Sequence, residues 1–310
     1  QFSDDPLFNW IRNFQLFLSD GVLRVAVPLF FAISGFLQVG AFETGLNVEN
    51  YLQLIKKRFF SLFVPFVIAS TSFLVLFSFF SQFPATAMLF RKDYSILPFE
   101  TLFYKIIYTP VPFQFWFIRF LIQYIIVLPL IFVAIRLAGA FYILLLYLIW
   151  FNFEFQALVL TYDLGIESFF FFSLGVYFGM HKALLNNFKP SVVQIGIIGI
   201  SWLAILILRF QYYSYPVLRD QLLVVATSAG VIFIWLIYDV LEQHYSIAKR
   251  LKAFSGYSFG IFIFHEPLLS LVKKLMISLG DMQPLIYLFT YILAPMLSIV
   301  ISYFNILMLI

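Results

Sequence analysis

The stretch VLRVAVPLFFAISGFLQVG (residues 22–40), followed by NYLQLIKKRFFSLFVPF (residues 50–66), decides the fold class of this chain. Each half holds a long apolar run, and runs of about 20 apolar residues are typical of helices that span a bilayer. The first run carries Arg24, and the second is preceded by the basic residues KKR at 56–58. A cation at the centre of a span costs about 2.5–3.5 kcal/mol, so it usually faces a partner or a cavity. The stretch therefore indicates a membrane-embedded site for an anionic ligand.

The rest of the chain has the same apolar character. Of its 310 residues, 63% are hydrophobic and 11% are charged, and the mean hydropathy is +0.99. Soluble domains carry about 25% charged residues. The alternating strands of outer-membrane barrels are missing, which leaves helices as the spanning elements. We therefore predict an all-α, polytopic transmembrane helix bundle in a single domain, residues 1–310, integral to a membrane.

Apolar length predicts about nine spans in this chain. They are 21–42, 59–82, 113–135, 139–153, 165–181, 191–211, 220–241, 255–276 and 284–310. The fourth and fifth are short, and the long loop 83–112 contains a segment, 99–108, that suits a surface helix. The chain opens QFSDDPLFNW without a methionine and ends ISYFNILMLI inside an apolar run. We therefore expect the domain to be truncated at both ends.

The overall charge and the cysteine content exclude several kinds of site. The net charge of +4 suits the membrane lipid surface and gives no reason to expect nucleic acid as a partner. The chain has no cysteine, which excludes disulfides and cysteine-ligated metals. Metal-ligand spacing and nucleotide-binding loops are also missing, so we expect no metal and no bound cofactor.

Two of the arginines within the predicted spans, Arg24 and Arg119, are candidates for binding an anion. Arg24 comes within one turn of its span's start, so it either snorkels to the interface or faces a polar cavity. Arg119 lies in FQFWFIRFLIQY, among aromatic residues and near Gln123. Snorkelling explains that position poorly, and we predict that Arg119 lines a cavity.

The basic cluster Lys56, Lys57 and Arg58 directly precedes Phe59. Its first explanation is a positive-inside anchor at the membrane surface. Its second explanation is recognition of a phosphate or a carboxylate, which arginine binds through paired hydrogen bonds.

His265 and Glu266 lie near the middle of the predicted span 255–276, and Pro267 loosens the backbone there. A buried histidine and glutamate must be satisfied within the protein. They form either a structural hydrogen-bonding pair or a group that contacts substrate and handles protons.

Five segments together resemble the membrane-bound acyltransferase family 3, in that family's order and spacing and over nearly the whole chain. The family includes bacterial O-antigen and peptidoglycan O-acetyltransferases and succinyltransferase-like proteins of exopolysaccharide operons. The segments are VAVPLFFAISGFL (25–37), NYLQLIKKRFFSLFVPF (50–66), FQFWFIRFLIQYIIVLPLI (113–131), FFFFSLGVYFG (169–179) and SGYSFGIFIFHEPLL (255–269).

The resemblance implies a bundle of about ten helices in a bacterial inner membrane. It also implies that the bundle moves an acetyl or succinyl group from acyl-CoA to a hydroxyl of a cell-surface glycan or a lipid-linked sugar. In the family a histidine at the end of the first helix is taken as the base, and a basic RxxR-like motif is thought to bind the donor. Arg58 matches the first arginine of that motif. The resemblance thus predicts that Arg58, Lys56 and Lys57 hold the donor and that Arg24 and Arg119 line its cavity.

Three departures leave two interpretations open. Ser61 stands where the family has the second arginine, Phe120 stands where an acid is common, and residues 1–20 align with the loop that follows the family's first helix. We expect that helix and its histidine upstream of residue 1, with His265 and Glu266 as the fallback catalytic groups. The alternative is a non-catalytic subunit that serves as a structural part of a larger membrane complex with other membrane subunits.

Overall fold

The structure is a computed structural model that describes residues 5–42, 47–83, 98–110, 112–152, 165–242, 249, 257–279 and 284–309. The regular structure within these residues is helical, which confirms the predicted all-α class. In chain order the helices are α1 (Pro6–Gln38), α2 (Val48–Ser81), α3 (Phe99–Ile107), α4 (Phe113–Ala138), α5 (Ala140–Phe151), α6 (Ile166–Met180), α7 (Lys182–Asn187), α8 (Val192–Gln211), α9 (Pro216–Glu242), α10 (Ser258–Leu279) and α11 (Pro284–Leu309).

Six of the helices in the described residues are long and apolar enough to cross a membrane, and the chain is an integral membrane protein. They are α1, α2, α4, α8, α9 and α11. Helices α5 and α6 are apolar but shorter, in line with the short fourth and fifth spans predicted from the sequence. Helix α10 has 22 residues and carries charged residues, among them Glu266, Lys273 and Lys274.

The first two helices begin earlier than the sequence interpretation placed them. Helix α1 starts at Pro6 where the span was predicted to start at 21, and α2 starts at Val48 where the span was predicted to start at 59. The cause is local capping. The Asp5 carboxylate accepts a hydrogen bond from the Leu7 amide (2.8 Å), and the Asn47 side chain accepts one from the Glu49 amide (2.9 Å). The residues before each apolar run therefore extend the helix.

The predicted surface helix at 99–108 is present as α3, whereas the preceding part of that long loop, 84–97, lies outside the described residues. The chain divides into two compact units. The first unit comprises 1–13, 58–119 and 246–310, and the second unit comprises 14–57 and 120–245. The unit boundaries thus fall inside α1, α2 and α4, and they separate Lys57 from Arg58 and Arg119 from Phe120.

The second unit is organised around the contact of α1 with α6. A Cβ atom on Gly35 would overlap the carbonyl oxygen of Phe172, and one on Gly175 would overlap the carbonyl oxygen of Ala32. Gly175 and Gly179 form a GxxxG pattern, which lets helix backbones approach closely within a membrane. Close packing of these two helices fixes the position of the charged residues that both carry.

The first unit contains an aromatic core around Phe115, which is fully buried. Its ring lies 5.9 Å from that of Phe66, 6.2 Å from that of Phe73 and 6.3 Å from that of Phe262. These rings join the start of α4 to α2 and α10, and α10 packs along α11. Phe262 lies three residues before His265, so the aromatic core supports the segment that holds the histidine.

Candidate functional site

The basic cluster ends the regular α-helical part of α2, Val48–Arg58. The side chains of Lys56 and Lys57 are exposed, and Arg58 is half-buried. The next five residues, Phe59–Phe63, form a π-helical turn. Pro65 has no N–H to donate to the Ser61 carbonyl, so regular α-helical bonding cannot continue through this point. The cluster is thus followed at once by a distorted turn, a feature that often marks functional sites.

Arg24 lies at a similar distortion in α1. A π-helical turn, Leu18–Val22, is followed by a 3₁₀ turn, Leu23–Val25, that contains Arg24. Pro28 stands four residues after Arg24, as Pro65 stands four residues after Ser61. Pro28 has no N–H, so the Arg24 carbonyl cannot accept the usual helical hydrogen bond from it. Both segments singled out from the sequence therefore contain irregular helix, which re-aims the side chains it carries.

Arg24 faces carboxylate partners. Its Nη2 donates to Oε2 of Glu167, at the start of α6, over 2.8 Å, and its Nη1 lies 3.4 Å from Oδ1 of Asp20 in the π-helical turn. The Arg24 side chain is 34% exposed and that of Glu167 is 23% exposed. A cation with a carboxylate partner on another helix is the arrangement expected inside a membrane, and it argues against simple snorkelling.

A second arginine, Arg209 on α8, contacts the Asp20 carboxylate. Nη2 of Arg209 lies 2.5 Å from Oδ2 of Asp20, and its Nη1 donates to the Asp20 carbonyl oxygen over 2.9 Å. The Arg209 side chain is only 5% exposed. Asp20 therefore joins two arginines, and we call Asp20, Arg24, Glu167 and Arg209 the arginine–carboxylate network. The sequence interpretation missed Asp20, Glu167 and Arg209, although charges in or beside apolar spans were the signal that could have found them.

The arginine–carboxylate network balances two cations with two carboxylates. It ties α1 to both α6 and α8 within the second unit. Nε of Arg24 and Nε of Arg209 are buried, and within the described residues they have no hydrogen-bond partner. A guanidinium offers five N–H donors, so Arg24 keeps donors for a further acceptor. The network can therefore hold the fold together and also present Arg24 to an anion.

Arg119 lies in the first turn of the α-helical part of α4, Trp116–Ala138, and is half-buried. Its Nη1 donates to the carbonyl oxygen of Tyr108, just after α3, over 2.9 Å. The Tyr108 ring stacks on that of Tyr104 at 5.6 Å between centroids. Arg119 thus connects α4 to the end of α3, and its predicted role in lining a cavity stays a prediction.

His265 is half-buried on α10 and its tautomer follows from its contacts. Nδ1 lies 2.8 Å from the Phe262 carbonyl oxygen and 3.1 Å from that of Ile261. Carbonyl oxygens only accept hydrogen bonds, so Nδ1 carries the proton and the Nε2 of the neutral ring holds a lone pair. In a neutral ring, Nε2 of His265 is therefore the atom that can accept a proton.

Pro267 shapes the same segment. It has no N–H to donate to the Ile263 carbonyl, four residues earlier, and this carbonyl accepts a hydrogen bond from Nε2 of Gln114 over 3.1 Å. Gln114 is 8% exposed and lies at the start of α4. A buried side chain from another helix thus replaces the helical bond that proline removes, which is how membrane helices tolerate proline.

His265 and Glu266 do not act as a mutual pair, one of the two possibilities considered for them. Consecutive residues on a helix point in different directions, so their side chains do not face each other. Glu266 Oε1 accepts a hydrogen bond from the Ser270 hydroxyl over 2.8 Å. Each residue therefore hydrogen-bonds within its own helix, His265 through Nδ1 and Glu266 through Oε1.

The candidate residues are distributed over both units. Arg58, Arg119, His265 and Glu266 belong to the first unit, and Arg24, Lys56 and Lys57 belong to the second. The described residues contain no group of three or more histidine, aspartate or glutamate side chains that could hold a metal ion.

Comparisons with known proteins place the chain among acyltransferases. A family model described as an acyltransferase domain matches residues 1–304. The chain is 28% identical over 311 aligned positions to the succinoglycan biosynthesis protein ExoH of Rhizobium meliloti (strain 1021), a match that covers 95% of this chain and 77% of that protein. No solved structure is significantly similar to this chain.

Proposed function

The chain belongs to the acyltransferase family whose model spans residues 1–304, and we propose that it transfers an acetyl or succinyl group from acyl-CoA to a hydroxyl of a cell-surface glycan or lipid-linked sugar. The observation that carries this proposal is the family match over nearly the whole chain on a membrane-embedded helical scaffold. The similar protein from Rhizobium meliloti, named for succinoglycan biosynthesis, supports a polysaccharide acceptor. The bacterial inner membrane is the proposed location, because acyl-CoA is made in the cytoplasm.

Acyl-CoA would be held by the basic cluster. Coenzyme A carries phosphates, and the exposed Lys56 and Lys57 beside Arg58 offer the charged donors that phosphate oxygens prefer. Arg58 can bind a phosphate through two parallel hydrogen bonds, which a lysine cannot do. The π-helical turn that follows at Phe59–Phe63 would let the donor approach the backbone.

Arg24 and Arg119 would add hydrogen-bond donors, each within its own unit. Arg24 is part-exposed and keeps N–H groups beyond those that bind its carboxylate partners. Arg119 is oriented by the Tyr108 carbonyl. Their proposed role is to hold the polar parts of the donor inside an apolar surrounding, where charged hydrogen bonds are strong.

The transfer needs a base for the acceptor hydroxyl, and His265 is the fallback candidate within residues 1–310. Its Nε2 lone pair would take the hydroxyl proton. The alkoxide oxygen would then form a bond to the thioester carbonyl carbon, the carbon–sulfur bond would break, and the CoA thiolate would leave and take up the proton. Glu266 would support the helix through Ser270.

The test uses the full chain, purified in detergent, with labelled acetyl-CoA or succinyl-CoA and a surface polysaccharide from a strain that lacks the gene. We expect labelled polysaccharide with wild type, loss of label with Arg58→Ala and His265→Ala, and no loss with the exposed control Arg136→Ala. Unchanged transfer by Arg58→Ala would remove the donor role of the basic cluster. Unchanged transfer by His265→Ala would remove His265 as the base.

A non-catalytic role as a membrane subunit is the second candidate, and one packing feature favours it. Phe120 is buried, stacks on Tyr124 at 5.9 Å between ring centroids, and lies against Gly165. An aromatic ring thus fills a position where an acid is common in the family. Acyl content of the polysaccharide that is unchanged in a deletion strain, together with loss of a larger complex on a native gel, would favour this role.

A further inference from the structure

The second unit contains an apolar hollow of about 370 Å³ between α1, α6, α7 and α9. All of the described residues that line it are apolar or aromatic, including Phe36, Phe178, Phe188 and Trp235. Its volume lies within the range of about 300–1,000 Å³ that is usual for small-molecule sites. The hollow offers hydrocarbon contact and almost no hydrogen bonding.

A second hollow of about 280 Å³ adjoins the first and shares Phe188 with it. Its other lining residues come from the segment after α7 and from the start of α8, and they include Pro190 and Ile197. Lys189 lies between Phe188 and Pro190 and is exposed. In the chain, this cation therefore directly follows a residue that lines both hollows.

We propose that these hollows bind an anionic membrane phospholipid, with a hydrocarbon chain in the larger hollow and the headgroup phosphate beside Lys189. Water molecules would not bind stably in the larger hollow, because a stable internal water needs two to four polar partners. A glycan or coenzyme A would lose its own hydrogen bonds there without replacement. In a membrane the surrounding medium already supplies hydrocarbon chains.

The larger hollow suits a lipid chain because its walls are apolar and its volume is about 370 Å³. A flexible hydrocarbon chain can fill such a volume, because it bends to follow the walls.

The surrounding charges place the phosphate on the side of Lys189. Lys182, at the start of α7, is also exposed and positively charged. Asp239, one turn after Trp235 on α9, is exposed and negatively charged. An anionic headgroup would therefore avoid the end of α9 and lie along the segment that follows α7. A lysine at a membrane surface is worth about a fivefold preference for anionic lipid.

The experiment places the purified full chain in lipid nanodiscs with phosphatidylglycerol that carries a photoactivatable diazirine in its acyl chain. Cross-linked peptides are identified by mass spectrometry. We expect label to concentrate on residues 174–188 and 231–236. Ile232→Trp and Leu184→Trp project a larger ring into the larger hollow from half-exposed positions on two different helices. Each should lower this labelling several-fold, whereas Ile200→Trp, on the exposed surface of α8, should leave it unchanged.

The headgroup part of the proposal is tested with Lys189→Glu and with a phosphatidylcholine probe of the same chain. We expect Lys189→Glu to lower phosphatidylglycerol labelling by about fivefold or more and to leave phosphatidylcholine labelling unchanged. Labelling spread evenly over the lipid-facing helices and unaffected by either tryptophan variant would overturn the proposal. A change of oligomeric state in both tryptophan variants, with no lipid lost, would identify the hollow as a protein interface. Neither readout depends on acyl transfer, so the lipid site stands or falls independently of the proposed function.

Discussion

Arg209 and Asp20 are 189 positions apart in the chain, yet Nη2 of Arg209 lies 2.5 Å from Oδ2 of Asp20. The same guanidinium also donates to the carbonyl oxygen of Asp20. One buried side chain therefore holds both the carboxylate and the backbone of the π-helical turn Leu18–Val22. Because that turn precedes Arg24 directly, Arg209 stabilises the helix geometry that presents Arg24 to Glu167.

The first prediction concerns this contact. Arg209→Met keeps an unbranched apolar side chain but leaves the Asp20 carboxylate and carbonyl without their buried partner. We expect the free energy of unfolding to fall by about 2–3 kcal/mol, less than for a fully buried pair because Asp20 is 41% exposed. Thermal unfolding in detergent measures it, with the exposed Arg136→Met as the matched control. Equal melting temperatures for both variants would show that the contact adds no stability.

The second prediction concerns the charge balance of Arg24. Glu167→Gln keeps an oxygen that can accept from Arg24 but removes the negative charge. If Arg24 binds the acyl donor, the uncompensated cation should lower the KM for acyl-CoA by about two- to fivefold, since a part-exposed ion pair is worth up to about 1 kcal/mol. Initial rates at varied donor concentration measure the change, with exposed Glu49→Gln as control. A KM that rises for Glu167→Gln would argue that the ion pair itself positions the donor.

The third prediction concerns the close approach of α1 and α6. Gly175→Ala would place a methyl group against the Ala32 carbonyl oxygen, and backbone cannot move aside as a flexible side chain can. We expect poor yield of folded protein in the membrane and an early unfolding transition. Gly196→Ala on α8 is the control, because a Cβ there meets nothing within 4 Å. It should be neutral or stabilising by up to about 1 kcal/mol, the usual gain of alanine over glycine in a helix.

The fourth prediction tests whether Gln114 compensates for Pro267. Gln114→Leu leaves the Ile263 carbonyl without its donor, which should cost about 1–3 kcal/mol. In a Pro267→Ala background the residue at 267 regains an N–H, and the same Gln114→Leu change should cost clearly less. A double-mutant cycle of melting temperatures measures this coupling. Equal costs in both backgrounds would mean that the Gln114 bond does not replace the missing helical bond.

The fifth prediction concerns Ser61, which stands where the family pattern has its second arginine. Ser61 is exposed in the π-helical turn after the basic cluster, so a longer side chain fits there. Ser61→Arg should lower the KM for acyl-CoA by about three- to tenfold through one added charged hydrogen bond. Ser61→Gln has a long side chain without charge and serves as control. A similar effect of both substitutions would rule out phosphate recognition at this position.

Much of the fold followed from local pattern. Apolar runs identified the spanning segments because a bilayer accepts only backbone that satisfies its own hydrogen bonds, and long apolar helices do so. Helices α1 and α2 begin before the predicted spans at 21 and 59, because hydropathy does not record the caps at Asp5 and Asn47. Caps act through single hydrogen bonds and leave hydropathy almost unchanged.

For the candidate residues, too, some features followed from the local sequence and others required the tertiary structure. By itself the sequence determined the all-α membrane class, the family resemblance and the presence of costly charges such as Arg24 and His265, because each depends on composition or on neighbours along the chain. Only the tertiary structure decided that Arg24 pairs with Glu167, that Arg209 holds Asp20, and that Gln114 supports the segment of His265. Those partners come from helices far apart in sequence, and no local periodicity specifies which buried polar group will satisfy another.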